Sequence, residues 1–351
     1  MPIAIIAITR NGARLGTQLR DGLGNAELHV LQKFAGQAGK GAIPFAGELK
    51  ELVARLWREH DGLAFIMAAG IVVRLIAPHL VGKDVDPAVV VMDDAGKFAI
   101  SLLSGHLGGA NELACRCAFV TGAREVITTA TDANDLPSFD MLAKAEGWAI
   151  DDLCRVKTLN ALLLEGEEIA VVDPADRVRP YFHGKGRLSF HDTFVQALQG
   201  GAKGFVFVTN RRLPPQAQSE KLLVLRPKNL VLGIGCNSGT TAEEIEEVVM
   251  GQLKRLFLSV KSVACIGSAV AKREEAGLIA FAEKFGLPLR FFESAELNGV
   301  TVPSPPSAHA LEAIGATGVA EPAAVLASNG GSLILKKIKS GNLTLAIAET
   351  A

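Results

Sequence analysis

The 351-residue chain reads as an α/β protein in three α/β segments. Three observations predict this. Apolar runs of five or six residues recur, such as "IAIIAI" from Ile3, "AVVVM" from Ala88 and "LLVLRP" from Leu222, as expected of short strands buried on both faces. Stretches with helical spacing separate many of them, the alternation that builds mostly parallel sheets covered by helices. Many of the 36 glycines stand where an apolar run ends, the place where α/β proteins carry ligand loops.

The first segment, residues 1–136, is expected to hold a mixed, mostly parallel sheet with glycine loops at its strand ends. Its strands are "IAIIAI", "LAFIM" from Leu63, "AVVVM", "FAISLL" from Phe98 and "EVITT" from Glu125. Between Gly47 and His60, Leu49, Leu52, Val53 and Leu56 recur at helical spacing and predict a helix with one buried face. "MDDAGKF" reads as a hairpin turn, so one neighbouring pair is antiparallel. The small middle segment, residues 137–228, has strands "EIAVVD" from Glu168 and "GFVFVTN" from Gly204, helices over "LNALLLEG" and "DTFVQALQGG", and a proline-bearing loop from Arg211 to Lys221 before "LLVLRP".

The third segment, residues 229–351, opens on "NLVLGIGCNSGTTAEEIEEVVMGQL", a strand, a glycine turn and a helix. Thr240 with Glu243, or Thr241 with Glu244, supplies a capping box for that helix. Strands "SVACIGSA" and "LPLRFF", helices over "EEAGLIAFAEKFG" and "EPAAVLAS", a loop "TVPSPPS", and a final strand pair "SLILKK" and "LTLAIAE" complete it.

Composition excludes several roles. Lys and Arg number 36 against 37 Asp and Glu, which argues against a nucleic-acid binder, because such affinity rests on basic neutralisation of phosphates. Aromatic residues are only 5%, too few for base-stacking platforms. The N-terminus lacks a signal-peptide pattern and the longest apolar run is too short to span a bilayer, so a cytoplasmic protein that avoids membranes is expected. Five scattered cysteines predict reduced thiols, with neither a disulfide framework nor a metal site.

Four strand ends carry the candidate chemistry. "GIGCNSG" places Gly233, Gly235 and Gly239 outside the G-x-G-x-x-G spacing, and the next strand, "CIGSAV", ends without the acid that would hold a ribose. A P-loop fails too, for want of Gly-Lys-Ser/Thr, so a nucleotide-dependent enzyme is disfavoured. The loop is either a tight turn or a set of helix-start amides that hold a carboxylate through Gly235 and Gly239. In "IMAAGIVVRLIAPHL", Gly70 precedes a helix beginning near Ile71. Arg74, placed in its first turn, either reaches the surface or pairs with Asp86, or clamps a carboxylate with its fork of donors. His79 and Lys83 are secondary cations nearby.

"SGHLGGAN" sets His106 among Gly105, Gly108 and Gly109, ahead of Asn111 and Glu112. The glycines free the backbone, and Asn111 and Glu112 offer a donor and a partner for the imidazole. "TTATDAND" adds Asp132 and Asp135. If these strand ends share one edge of a parallel sheet, their loops face one crevice.

These residues resemble the CbiG family, the cobalt-precorrin-5A hydrolases of anaerobic cobalamin biosynthesis. The likeness rests on "GLAFIMAAGIVVRLIAPHL", "DPAVVVMDDAGKFAISLLSGHLGGANELA" and "LGIGCNSGTTAEEIEEVV". "ESAELNGV", "PSPPS", "GVAEPAAVLAS" and "LTLAIAE" support it, and it spans essentially the whole chain. One departure is Asn237 and Ser238, where many relatives are expected to carry a basic residue. The resemblance implies opening of the δ-lactone of a cobalt-corrinoid substrate and release of the bridging carbon as acetaldehyde, giving cobalt-precorrin-5B. It implies no cofactor held by the protein, since cobalt enters within the substrate.

For that reaction the expected base or acid is His106, oriented by Glu112 or Asp132. Gly70, Arg74, Gly105, Gly108, Gly109, Asn111, Gly235 and Gly239 are expected to bind substrate. A homodimer and a transient hand-over to other enzymes of the pathway are compatible with the sequence. The competing reading is a non-catalytic corrinoid carrier.

Overall fold

The computed structural model describes residues 2–82, 85–214 and 219–350. The chain divides into two compact units, Met1–Met141 and Leu142–Ala351.

The first unit is built on seven strands: β1 (Ile3–Ala7), β2 (Ala26–Leu31), β3 (Ile43–Phe45), β4 (Gly62–Ile66), β5 (Ala88–Met92), β6 (Phe98–Leu103) and β7 (Arg124–Val126), in the order β3-β2-β1-β4-β5-β6-β7. The first five in that order are parallel. β6 runs antiparallel to β5, and β7 is parallel to β6. Helices α1 (Arg10–Leu23), α2 (Leu49–Glu59), α3 (Ala69–Ile76), α4 (Ala110–Thr121) and α5 (Ala130–Ala133) follow the strands, and α6 (Phe139–Ala145) begins at the end of this unit and continues past Met141.

The continuous apolar runs form strands because both sheet faces are covered. Ile3, Ile5 and Ala7 join one core with Ala13 and Leu19 of α1 and Leu113 of α4. The alternate residues Ala4 and Ile6 join a second core with Leu52, Val53 and Leu56 of α2 and Val72 of α3. Burying each such Leu or Ile contributes about 1.5–3 kcal/mol relative to exposure. The predicted hairpin is present. The Asp93 carboxylate accepts the N–H groups of Ala95, Lys97 and Phe98, and Gly96 takes φ +66°.

Unit two holds two sheets. The first comprises β8 (Ala149–Ile150), β9 (Ile169–Val172), β10 (Leu188–Phe190), β11 (Gly204–Val208) and β12 (Leu222–Arg226), ordered β10-β9-β11-β12-β8 with β8 antiparallel. Its helices are α7 (Leu153–Leu164), α8 (Val178–Phe182) and α9 (Phe194–Gln199). The second comprises β13 (Leu230–Cys236), β14 (Val263–Ala269), β15 (Leu289–Phe292), β16 (Ser332–Ser340) and β17 (Leu343–Glu349), ordered β15-β14-β13-β17-β16. Its helices are α10 (Ala242–Arg255), α11 (Ala276–Phe285), α12 (Ser294–Asn298), α13 (Ala308–Ile314) and α14 (Ala320–Ala327). A Cβ on Gly233 would meet the Ala320 carbonyl oxygen at 1.8 Å, and one on Gly267 the Ala323 carbonyl oxygen at 2.5 Å, so α14 lies directly on the strands.

Several expectations are corrected. "EVITT" is a strand only as far as Val126, because the chain then turns into α5. The short strands β2, β3, β8 and β10 lack the continuous apolar runs that marked the others; exposed Glu27 breaks the pattern in β2. Helix α3 starts two residues before Ile71, which moves Arg74 into its last turn. At α10 the cap is Thr241, whose side chain accepts from the Glu244 N–H at 3.2 Å; the Glu244 carboxylate accepts instead from the Asn342 N–H, so the box is not reciprocal. Residues 215–218 of the expected proline-bearing loop lie outside the described residues.

Candidate active site

The site is assembled where β6 and β7 end. Leaving β6, Ser104 adopts φ +58° and Gly109 φ +92°, a tight reversal that starts α4. The first amides of that helix are turned back on the loop itself. Gly109 N–H donates to the His106 carbonyl, Ala110 N–H to Ser104 and Asn111 N–H to Gly105, each at 3.0 Å. A Cβ on Gly105 would come within 2.7 Å of Asn111 Oδ1, and one on Gly108 within 2.7 Å of the Ser104 carbonyl oxygen. These glycines let the loop fold tightly on itself, and of their three amides Gly109 N–H is turned inward to the His106 carbonyl. The N–H groups of Gly105, His106, Leu107 and Gly108 make no hydrogen bond to the described residues.

Because β7 is parallel to β6, its following loop reaches the same sheet edge and brings Thr129, Thr131 and Asp132 to His106. His106 Nε2 lies 2.8 Å from Asp132 Oδ2 and 3.2 Å from Thr131 Oγ1. Its Nδ1 lies 3.0 Å from Oδ2 of the buried Asp140, in the first turn of α6. Both ring nitrogens thus face carboxylates, the arrangement that suits the doubly protonated imidazolium. The hydrogen bond to Asp140 raises the His106 pKa above its ordinary 6.5; burial opposes this and Asp132 reinforces it.

Asp132 Oδ2 is itself crowded with donors. It accepts from Thr129 Oγ1 and from Asn111 Nδ2, the latter at 3.2 Å, in addition to facing His106. The Asn111 amide is oriented by Ser101, whose hydroxyl donates to Asn111 Oδ1 at 2.7 Å. His106 is partly shielded, at 18% side-chain exposure, whereas Asp132 is 42% exposed and open to solvent. The result is a buried carboxylate, an imidazole and an exposed carboxylate in line.

The structure therefore brings together His106, Asp132, Asn111, Gly105, Gly108 and Gly109 of the expected set. Glu112 is exposed on α4 and makes no hydrogen bond to His106; Asp140 occupies the place expected for it. Asp140 went unread because the sequence offers no pattern there beyond a lone acid after "PSF". Thr129, Thr131 and Ser101 carried no signal either.

Gly70 and Arg74 lie elsewhere. They follow β4, and β6 runs opposite to β4 and β5, so their loop and the His106 loop occupy opposite edges of the sheet. Five-residue strands at about 3.3 Å per residue put roughly 15 Å between those edges. Both Gly70 and Arg74 are exposed, and Arg74 Nη1 donates to the Gly70 carbonyl at 2.7 Å. Asp86 does not pair with Arg74; its carboxylate accepts from the Val81 and Gly82 N–H groups. His79 stands beside Trp57, ring centroids 5.9 Å apart, and Lys83 lies outside the described residues.

In the second unit, Gly235 is inside β13 rather than in the turn, with Thr344 Oγ1 against its open side. Gly239, at φ +78°, donates its N–H to Glu275 Oε2 at 3.2 Å, so that amide already holds a carboxylate of this chain. Glu275 in turn pairs with Lys272 at 3.0 Å, which holds its pKa below the ordinary value. All five cysteines are free, and burial pushes the Cys117 thiol up to about 12. Among the described residues no His, Cys, Asp and Glu cluster has metal-binding geometry, and no helix is long and apolar enough to cross a membrane.

Three family models cover the chain in sequence: cobalamin synthesis G N-terminal over residues 51–132, cobalamin biosynthesis central region over 137–227, and cobalamin synthesis G C-terminus over 230–348. Among curated proteins, the cobalt-precorrin-5A hydrolase of Priestia megaterium is 35% identical over 98% of this chain and 94% of its own length. That of Salmonella typhimurium is 30% identical over 98% of this chain and 97% of its own. Fold and matches together define the class, an α/β enzyme of cobalamin biosynthesis. The chain belongs to the CbiG family, the family of cobalt-precorrin-5A hydrolases.

Proposed function

We propose that this chain hydrolyses cobalt-precorrin-5A and that Asp140, His106 and Asp132 form its proton relay. The observation that carries the relay is the imidazole held at 3.0 and 2.8 Å between two carboxylates of unequal exposure. Such a pair assigns unlike roles to its members, since one is open to solvent while the other is buried and fixes the ring.

Water attacks the lactone carbonyl, and Asp132 accepts the proton that water loses. The Gly108 N–H is one of the donors available in this loop for the developing oxyanion. As the carbonyl re-forms, the lactone C–O bond breaks and His106 gives its Nε2 proton to the departing oxygen. His106, now neutral, keeps its proton on Nδ1, which donates to Asp140. The proton now on Asp132 then passes across 2.8 Å to Nε2, and the pair is restored. In the next step the freed hydroxyl loses its proton to the same pair, the carbon–carbon bond to the macrocycle breaks, and acetaldehyde leaves while the electron pair passes to the ring. Cobalt enters within the substrate in this scheme. Asp140 is a positioning residue, and Glu112 takes no part.

Anaerobic turnover of cobalt-precorrin-5A by His106→Ala, followed as acetaldehyde, tests the relay. A fall in kcat of about 10²–10⁴-fold is expected for loss of an acid–base group. Turnover within a few-fold of wild type, in a folded variant, would remove His106 from the reaction. A corrinoid carrier needs no such relay and would release no acetaldehyde.

A further inference from the structure

The second unit contains a cavity of about 400 Å³ that the relay does not use, within the range of small-molecule sites. Leu222, Val224, Met250, Leu253 and Leu258 are among its lining residues. Its walls carry Arg155, Arg212, Arg226, Lys254 and Lys261 against Asp151 and Asp152, a surplus of three positive charges.

Not all of these cations are available. Arg226 is 3% exposed; its Nη1 donates to the Thr209 and Arg211 carbonyls, and its Nη2 to Asp151 Oδ2 at 2.6 Å. Lys261 Nζ donates to the Ile150 and Asp151 carbonyls, and Arg155 pairs with Asp152 at 3.1 Å. The Arg212 and Lys254 side chains have no hydrogen-bond or ion-pair partner among the described residues.

Their backbones are nonetheless fixed. Arg212 N–H donates to the Phe257 carbonyl at 2.7 Å, Ser259 N–H to the Asn210 carbonyl at 2.8 Å, and buried Arg226 ties down the intervening carbonyls. This clamps the Arg212 segment to the chain just past α10, whose last turn carries Lys254. The helix dipole accounts for a cation at Lys254 but not for the cations contributed by the Arg212 loop, α7 and the turn before β14. Two cations without a partner among the described residues, on anchored backbone and beside apolar lining residues, fit an organic body that carries carboxylate arms.

We propose that this cavity binds the carboxylate-bearing edge of the macrocycle, with Arg212 and Lys254 as its anion clamps. The choice of macrocycle rests on the function proposed above; the choice of an apolar polycarboxylate rests on the cavity. The test is titration of the full chain with cobyrinic acid, a corrin whose peripheral acids are free, and with cobinamide, the same ring with those acids amidated. Citrate and inorganic phosphate are the controls. Wild type is expected to bind cobyrinic acid at least tenfold more tightly than any of the other three. Arg212→Ala combined with Lys254→Ala is expected to weaken cobyrinic acid at least tenfold with an unchanged Tm, and the charge-keeping pair Arg212→Lys with Lys254→Arg to restore it to within a few-fold.

Unchanged cobyrinic acid binding by the double alanine variant overturns the proposal. So does citrate or phosphate binding as tight as cobyrinic acid, which would mark a general anion patch. The two readings fail separately. Normal turnover by His106→Ala removes the relay and leaves the cavity, whereas undiminished cobyrinic acid binding by the double variant removes the cavity and leaves the relay.

Discussion

Asp140 determines what His106 can do. A histidine with one exposed nitrogen titrates near its ordinary pKa, but here a buried carboxylate accepts from Nδ1 and favours the charged ring. The acid form therefore survives to higher pH, and activity that needs it is expected to decline only as pH rises through the raised pKa. Asp140→Asn removes the largest cause of that shift. Its alkaline limb in a kcat profile is expected at lower pH than wild type; an unmoved limb would assign the limb to another group. The same shift links to stability. Because the folded pKa is raised, the contribution is fully present below about 6.5 and is lost as pH rises through the folded value. His106 and Asp132 were legible as residues, since glycines and a strand end flag each. Asp140 was not, because nothing in "PSFD" signals that its carboxylate returns to an imidazole 34 positions earlier.

At the level of elements, strand direction decides which loops meet. The hairpin after β5 reverses the chain, so β6 and β7 deliver His106 and Asp132 to one sheet edge and leave Gly70 and Arg74 at the other. The hairpin was readable in "MDDAGKF", and its consequence for the shared crevice follows from it directly. Close packing of α14 on β13 and β14 is a second element-scale constraint. Gly233→Ala would press a methyl into the Ala320 carbonyl, and it is expected to cost about 3 kcal/mol, the upper end of typical overpacking. Gly251, exposed within α10 with nothing within 4 Å of its open side, gives the opposite sign: Gly251→Ala is expected to stabilise by about 0.5–1 kcal/mol. Urea denaturation of both variants checks the pair, and equal effects would contradict the packing argument.

Across the whole molecule, three sheets supply separate cores, and stability rests on apolar burial. The largest buried side chains, such as Phe65, Phe139, Phe207 and Phe281, are spread across both units. Exhaustive dialysis against EDTA is accordingly expected to leave Tm unchanged. A fall of several degrees would reveal a structural ion. The relay in the first unit and the cationic cavity in the second are each complete within their own unit.

What the sequence determined by itself was the alternation of buried strands and amphipathic helices, the position of most glycine turns and the family. Each of these is written in local order, as periodicity, turn chemistry or contiguous motif. The tertiary structure alone decided which strand ends share an edge, which amides were already satisfied, and which distant carboxylates close on His106. Those depend on strand direction and on hydrogen bonds between residues far apart in the chain, which local patterns do not encode.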